Sequence, residues 1–143
     1  MNRTIFLSLL IVCFLTSCNS QRNINKNAET SISITGKKWI AVEINNEKIT
    51  QLDADRFPNL TLSEGKISGY SSCNRMQGTY TLEKDRITFG PIAVTKMLCF
   101  DTNELETNYL QAISEVQFWE YKQNKLYFLN EKKEVVVVFE GEG

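Results

Sequence analysis

The sequence predicts an α+β domain that is mostly β, built from short antiparallel strands with one helix packed on them. Three observations carry this expectation. From Lys38 onward, apolar runs of a few residues alternate with turn signals. One segment, starting at Asp101 or Thr102, breaks that rhythm with apolar residues at helical spacing. The chain left after an N-terminal export signal, residues 18–143, is of a size that builds one domain with its own core.

The export signal comes first along the chain. Arg3 supplies a positive start, and Ile5 to Leu15 is apolar apart from Ser8. That stretch is too short to cross a bilayer, which takes about 20 apolar residues, and it fits the hydrophobic region of a signal peptide spanning residues 1–17. Leu15-Thr16-Ser17-Cys18 follows directly. These four residues resemble the lipobox of bacterial lipoproteins, in which a diacylglyceryl group joins the cysteine thiol and a peptidase cuts before it. The alternative is an ordinary cleaved signal with an incidental cysteine. The lipobox resemblance implies an exported, cell-envelope protein held to a membrane through lipid on Cys18. Two or more acyl chains anchor stably where one does not. Asn19 is not the aspartate associated with inner-membrane retention in enteric bacteria, which favours the outer membrane. Residues 18–35, rich in Asn, Ser, Lys and Thr, read as a flexible tether, although Ser31 to Thr35 alternates well enough for a short edge strand.

The domain proper is expected over 36–143. Its first strand is Lys38–Ile44, turned by Asn45-Asn46. Phe57–Ser63 and Lys66–Tyr70 flank Glu64-Gly65, and Gln77–Glu83 and Arg86–Gly90 flank Lys84-Asp85, giving two hairpins. Gly69, inside a strand pattern, suggests a bulge or a close backbone approach. The helix is expected from Thr102 to about Ser114. Asp101 or Thr102 can cap it, with Glu104 three residues after Asp101 as in a capping box. Leu105, Tyr109, Ala112, Ile113 and Val116 would form its apolar face. Glu104 and Glu106 favour the first turn, toward the positive end of the macrodipole. Val116–Lys122, Lys125–Asn130 and Glu134–Glu140 complete the strands. Trp119, Tyr121, Leu126 and Phe128 can share one face of a hairpin, with Phe118, Tyr127 and Leu129 on the other. If the helix covers that second face, the result is a two-layer core, the reading preferred here; otherwise it is an exposed patch. Val135 to Phe139, five apolar residues in a row, suggests a strand covered on both faces, the helix being one possible cover.

Composition removes whole classes of function. Sixteen basic residues against 17 acidic ones give a net charge of −1, with no basic patch, so nucleic acid is not an expected partner. Histidine is absent, which excludes Ser-His-Asp and Cys-His nucleophilic arrangements and His-ligated metal sites. No cofactor and no metal are expected. Of four cysteines, Cys13 leaves with the signal and Cys18 takes lipid, so Cys73 and Cys99 have only each other. In an oxidising compartment a structural disulfide is the leading reading. A redox pair is the alternative, although the Cys-x-x-Cys spacing of oxidoreductases is missing.

Two clusters stand out. One runs Gly69-Tyr70-Ser71-Ser72-Cys73-Asn74-Arg75-Met76-Gln77-Gly78, and the other is Thr95-Lys96-Met97-Leu98-Cys99, followed by Glu104 and Glu106. Together, with Trp39 near the start and Leu126 in the penultimate strand, they resemble the META domain, the family of HslJ-like heat-shock lipoproteins. The resemblance spans roughly Gly36 to Phe139. It implies a strongly curved, partly closed, barrel-like antiparallel sheet with a helix packed against it. It also places both cysteines in paired motifs and links the chain to stress response. It supplies no catalytic residues, since no enzymatic activity is established for the family.

The motif residues have structural readings of their own. Asn74 suits a left-handed turn or a hydrogen bond to nearby backbone, with ligand orientation as the alternative. Gly69 and Gly78 suit unusual dihedrals, and Thr95 can bond to the main chain. Arg75 and Lys96, each close to a cysteine, either make a small anion site or pair with nearby carboxylates. The expectation is a non-catalytic, monomeric envelope module that binds another envelope protein or a small ligand; a thiol–disulfide redox partner is the alternative.

Overall fold

In the computed structural model, residues 33–50 and 52–142 are described; the expected signal sequence, Cys18 and most of the stretch read as tether lie outside them. Ten strands are present: β1 (Lys38–Ile44), β2 (Glu47–Lys48), β3 (Asn59–Ser63), β4 (Lys66–Tyr70), β5 (Arg75–Glu83), β6 (Arg86–Phe89), β7 (Ala93–Val94), β8 (Phe118–Lys122), β9 (Lys125–Leu129) and β10 (Val135–Gly141). A 3-10 turn covers Ala54–Arg56, and the helix α1 spans Asn103–Ser114.

The strands follow one another around a closed antiparallel barrel. Its order is β1-β3-β4-β5-β6-β8-β9-β10, and β10 returns to pair with β1, Trp39 facing Gly141 and Ile44 facing Val137. Closure removes the open edges that an antiparallel sheet otherwise presents. Eight strands enclose a space that side chains alone can fill. Trp39, Leu60, Leu62, Ile67, Leu126, Phe128, Val137 and Phe139 are among the fully buried residues. Phe128 and Phe139 meet edge to face at 5.1 Å, which adds about 0.5–1.5 kcal/mol to their area burial.

Turn chemistry sets the register. Asn45-Asn46, Glu64-Gly65 and Gln123-Asn124 all have positive φ at both central residues, the tight hairpin form whose twist matches that of the strands. Gly69 and Gly78 differ from expectation, since neither has a positive φ; each lies where another backbone passes. A Cβ on Gly69 would stand 2.1 Å from the Asn59 carbonyl oxygen, and one on Gly78 would stand 2.8 Å from that of Pro91. The β3–β4 and β4–β5 ladders run through Gly69 without a shift, so of the two readings offered for it the close approach applies.

Ser33 to Thr35 form no strand. Ile34 is instead a core residue, and its carbonyl accepts a 2.8 Å hydrogen bond from Trp39 Nε1, so the domain begins inside the stretch read as tether. The helix starts with Thr102 in the N-cap position, but no side chain caps it and the capping box does not form. Asp101 is taken by Arg56 instead, and Glu104 is exposed. α1 packs on β10 and β1 through Tyr109, Ala112 and Ile113, with Tyr109 edge-on to Phe139. The Tyr109 hydroxyl is buried without a partner among the described residues, and burial pushes its phenol far above the usual range.

The β8–β9 hairpin divides its faces as expected, but the cover on the outer face is different. Leu126 and Phe128 are in the core, with Trp119 and Tyr121 packed against it. The other face is not roofed by the helix. Lys133 lies 3.1 Å and the Arg86 guanidinium 4.7 Å from the centre of the Phe118 ring, and Lys122 lies 4.6 Å from that of Tyr127. Once the sheet closes, its interior supplies the core; outside it, long cationic side chains lie over the Phe118 and Tyr127 rings, and Leu129 is itself buried.

Candidate functional site

The two sequence clusters come together at one end of the barrel. β4 ends at Tyr70 and β5 begins at Arg75, and the four residues between them, Ser71 to Asn74, are all buried. A buried connection must satisfy its own polar groups, and here the second cluster and the helix do so. The left-handed position expected of Asn74 falls to Ser72, with φ of 87°.

Asn74 is the centre of the arrangement. Its side-chain oxygen accepts from the Thr95 hydroxyl at 2.8 Å and from the Met97 amide at 2.6 Å. Its side-chain nitrogen donates to the Met97 carbonyl at 3.1 Å and to Glu106 Oε2 at 3.0 Å. An amide offers two acceptor sites and two donors; all four are used. Thr95 Oγ1 also accepts from the Arg75 amide at 3.1 Å, so this threonine bonds the main chain of the neighbouring strand.

Glu106 was not among the site residues expected from sequence. It faces inward from the first turn of α1, largely buried. Its Oε1 accepts from the Asn74 amide at 3.2 Å and meets the Ser71 hydroxyl. No cation pairs with it among the described residues; donors from Ser71 and Asn74 hold it, with help from the positive end of the helix. The helical pattern contained the signal: Glu106 precedes Tyr109 by three residues and Ile113 by seven, on the apolar stripe.

A covalent tie and an ion pair surround this network. Cys73 and Cys99 are bonded, with sulfurs 2.04 Å and Cα atoms 5.9 Å apart. Arg56 grips Asp101 with both terminal nitrogens, Nη2 to Oδ1 at 3.0 Å, and also reaches Thr102 Oγ1 at 3.2 Å. That guanidinium holds the Asp101 carboxyl below the usual carboxylate range.

Arg75 and Lys96 do not share a site. Arg75 lines a groove of about 580 Å³ on the outer wall, whereas Lys96 borders a shallow depression beside Thr107 and Leu110 of the helix. Neither finds a carboxylate partner among the described residues, contrary to the pairing considered for them. Beyond Lys96 the chain shows its apolar side outward: Met97 is 60 %, Leu98 71 % and Phe100 89 % exposed. The disulfide and the Asn74–Met97 bonds fix the backbone beneath them.

With this geometry in view, the family model for the META domain matches residues 32–143. The chain belongs to the META domain family. Its fold recurs in solved structures of low identity. An NMR structure of a protein from Burkholderia xenovorans matches with a TM-score of 0.61 at 21 % identity, over 76 % of this chain and 83 % of that one. A second NMR structure gives 0.59 at 22 %, over 75 % and 90 %. A crystal structure of a DUF4847 family protein from Bacteroides vulgatus gives 0.57 at 15 %, over 75 % and 93 %. No curated protein matches the chain. In this META domain, the Cys-Asn-Arg and Thr-Lys-Met motifs build one clamp that joins strand, loop and helix.

Proposed function

We propose that this META domain is a non-catalytic binding module of the cell envelope, held to a membrane by lipid on Cys18 and serving in the response to envelope stress. The observation that carries the non-catalytic part is the saturation of the clamp. Asn74 spends all its hydrogen-bonding capacity internally, and Glu106 is committed to Ser71 and Asn74. These groups have no spare bonding capacity for a substrate, and without histidine the chain offers no nucleophile–imidazole pair. What the clamp presents outward is recognition surface, in the form of Met97, Leu98 and Phe100. The anchor is supported by the hydrophobic segment followed by Leu15-Thr16-Ser17-Cys18.

Growth of the producing cells with a clickable fatty acid tests the anchor. The wild-type chain is expected to carry the label and to sediment with membranes, and Cys18→Ala to lose both. Equal labelling of the two would refute the anchor. Turnover by the purified protein that vanishes in a folded Ser71→Ala variant would refute the non-catalytic reading.

A further inference from the structure

The outer wall beside the clamp carries a second feature, which rests on the binding reading above and gives it a ligand class. β3, β4, β5 and β7 lie side by side there, and their register aligns outward side chains in two rows across the strands. Thr61 faces Ser68, which faces Gln77; Asn59 faces Tyr70, which faces Arg75. β7 closes the edge through Gln77–Ala93 pairing and the Thr95 amide, which donates to the Arg75 carbonyl at 3.0 Å. The result is the groove of about 580 Å³, within the size range of small-molecule sites.

Its chemistry is one-sided. The lining holds hydroxyls, two amides, an aromatic ring, the apolar side chains of Met76, Ala93 and Val94 and one guanidinium, but no carboxylate. Arg75 has its backbone fixed to β7, while its guanidinium makes no ion pair or hydrogen bond among the described residues. The two acids in and beside the clamp are already engaged, Asp101 with Arg56 and Glu106 with Ser71 and Asn74. An unpaired guanidinium recognises a carboxylate or phosphate through two parallel hydrogen bonds. Hydroxyls and amides both donate and accept, as sugar hydroxyls do. We propose that this groove binds an anionic saccharide, with Arg75 on the acidic group and the Thr61–Ser68–Gln77 row on the ring hydroxyls.

The test uses the full mature chain, labelled with nitrogen-15 and held in mild detergent. It is titrated with glucuronate, glucose, inorganic phosphate and a short oligogalacturonate while the Ser68, Arg75 and Gln77 amide resonances are followed. Glucuronate is expected to move them saturably, with glucose and phosphate each binding about tenfold more weakly. Arg75→Gln, a change at an exposed and unpaired side chain, is expected to weaken glucuronate about tenfold with the rest of the spectrum unchanged. Ser68→Trp, which fills the middle of the row, is expected to remove binding. Tighter binding of the oligomer assigns the ligand to a polymer, and equal binding assigns it to a free sugar acid; both support the site. Unmoved resonances, an unchanged midpoint in Arg75→Gln, or phosphate alone binding as tightly as glucuronate overturns it. Shifts confined to Met97–Phe100 overturn this site while keeping a binding module, and the fatty-acid label on Cys18 reports on the anchor independently.

Discussion

Replacing Cys73 with serine is expected to lower the unfolding free energy of the oxidised protein by about 3–4 kcal/mol, read as a fall in the denaturant midpoint. The effect originates in the unfolded chain. Cys73 and Cys99 are 26 residues apart, and the bond between them removes loop conformations that the reduced chain regains on unfolding. The margin of a small domain is roughly 5–15 kcal/mol, so the loss is a large fraction of the whole. Cys99→Ser and the double variant are expected to match the single one, because one shared bond can be lost only once. A double variant that falls below wild type by the sum of the two single losses would contradict this account. The same change reaches the surface. Cys99 sits between Leu98 and Phe100, so the bond also fixes the segment that displays the exposed apolar side chains.

The second large effect is expected at Glu106. Both of its oxygens receive donors, Oε1 from Ser71 and the Asn74 amide and Oε2 from the Asn74 side chain. Glu106→Gln keeps the shape but must turn an NH2 group toward a donor, whichever way the amide is placed. A loss of about 1–3 kcal/mol follows, at the upper end because hydrogen bonds to a charged acceptor are being removed inside the protein. Asn74→Asp makes the complementary error. It replaces the donor that faces Glu106 Oε2 and the Met97 carbonyl with a second acceptor, and it is expected to cost at least as much. A midpoint within about 0.5 kcal/mol of wild type for both, the size of an ordinary surface change, would mean the clamp is ornamental.

The fold was readable in the sequence wherever the signal was local. The alternating runs at Lys38–Ile44 and Lys66–Tyr70 gave those strands to the residue, and turn chemistry at Glu64-Gly65 and Gln123-Asn124 gave their hairpins. Two-residue strands such as Glu47–Lys48 and Ala93–Val94 carry no period to detect. Barrel closure joins Trp39 to Gly141, near opposite ends of the domain, so periodicity could not reveal it; family resemblance alone pointed toward it. That closure is also why the Phe118–Tyr127–Leu129 face needed no helix above it.

The site was legible in part for a related reason. Asn74, Thr95 and the cysteines stood out because short motifs gathered them, and the structure brings them into one network. The carboxylate they surround carries no such motif, and as acids of the helix's first turn Glu104 and Glu106 look alike. Taken singly, Glu106 falls on the apolar stripe of α1 and Glu104 does not, and burial separates them in the same way. The capping box suggested by the Asp101–Glu104 spacing does not form because Arg56, 45 residues before Asp101, takes that carboxylate.

The central claim is that the motif residues form a clamp that rigidifies an otherwise exposed segment, and the Met97 amide tests it most directly. That N–H belongs to a residue with a largely exposed side chain, and its acceptor is Asn74 Oδ1 at 2.6 Å. Native-state hydrogen exchange should find it protected to nearly the extent of the barrel strands in the oxidised wild-type protein, and unprotected in a folded Asn74→Ala variant. An amide at Met97 that exchanges in the wild type as fast as one in an unstructured peptide would contradict the clamp.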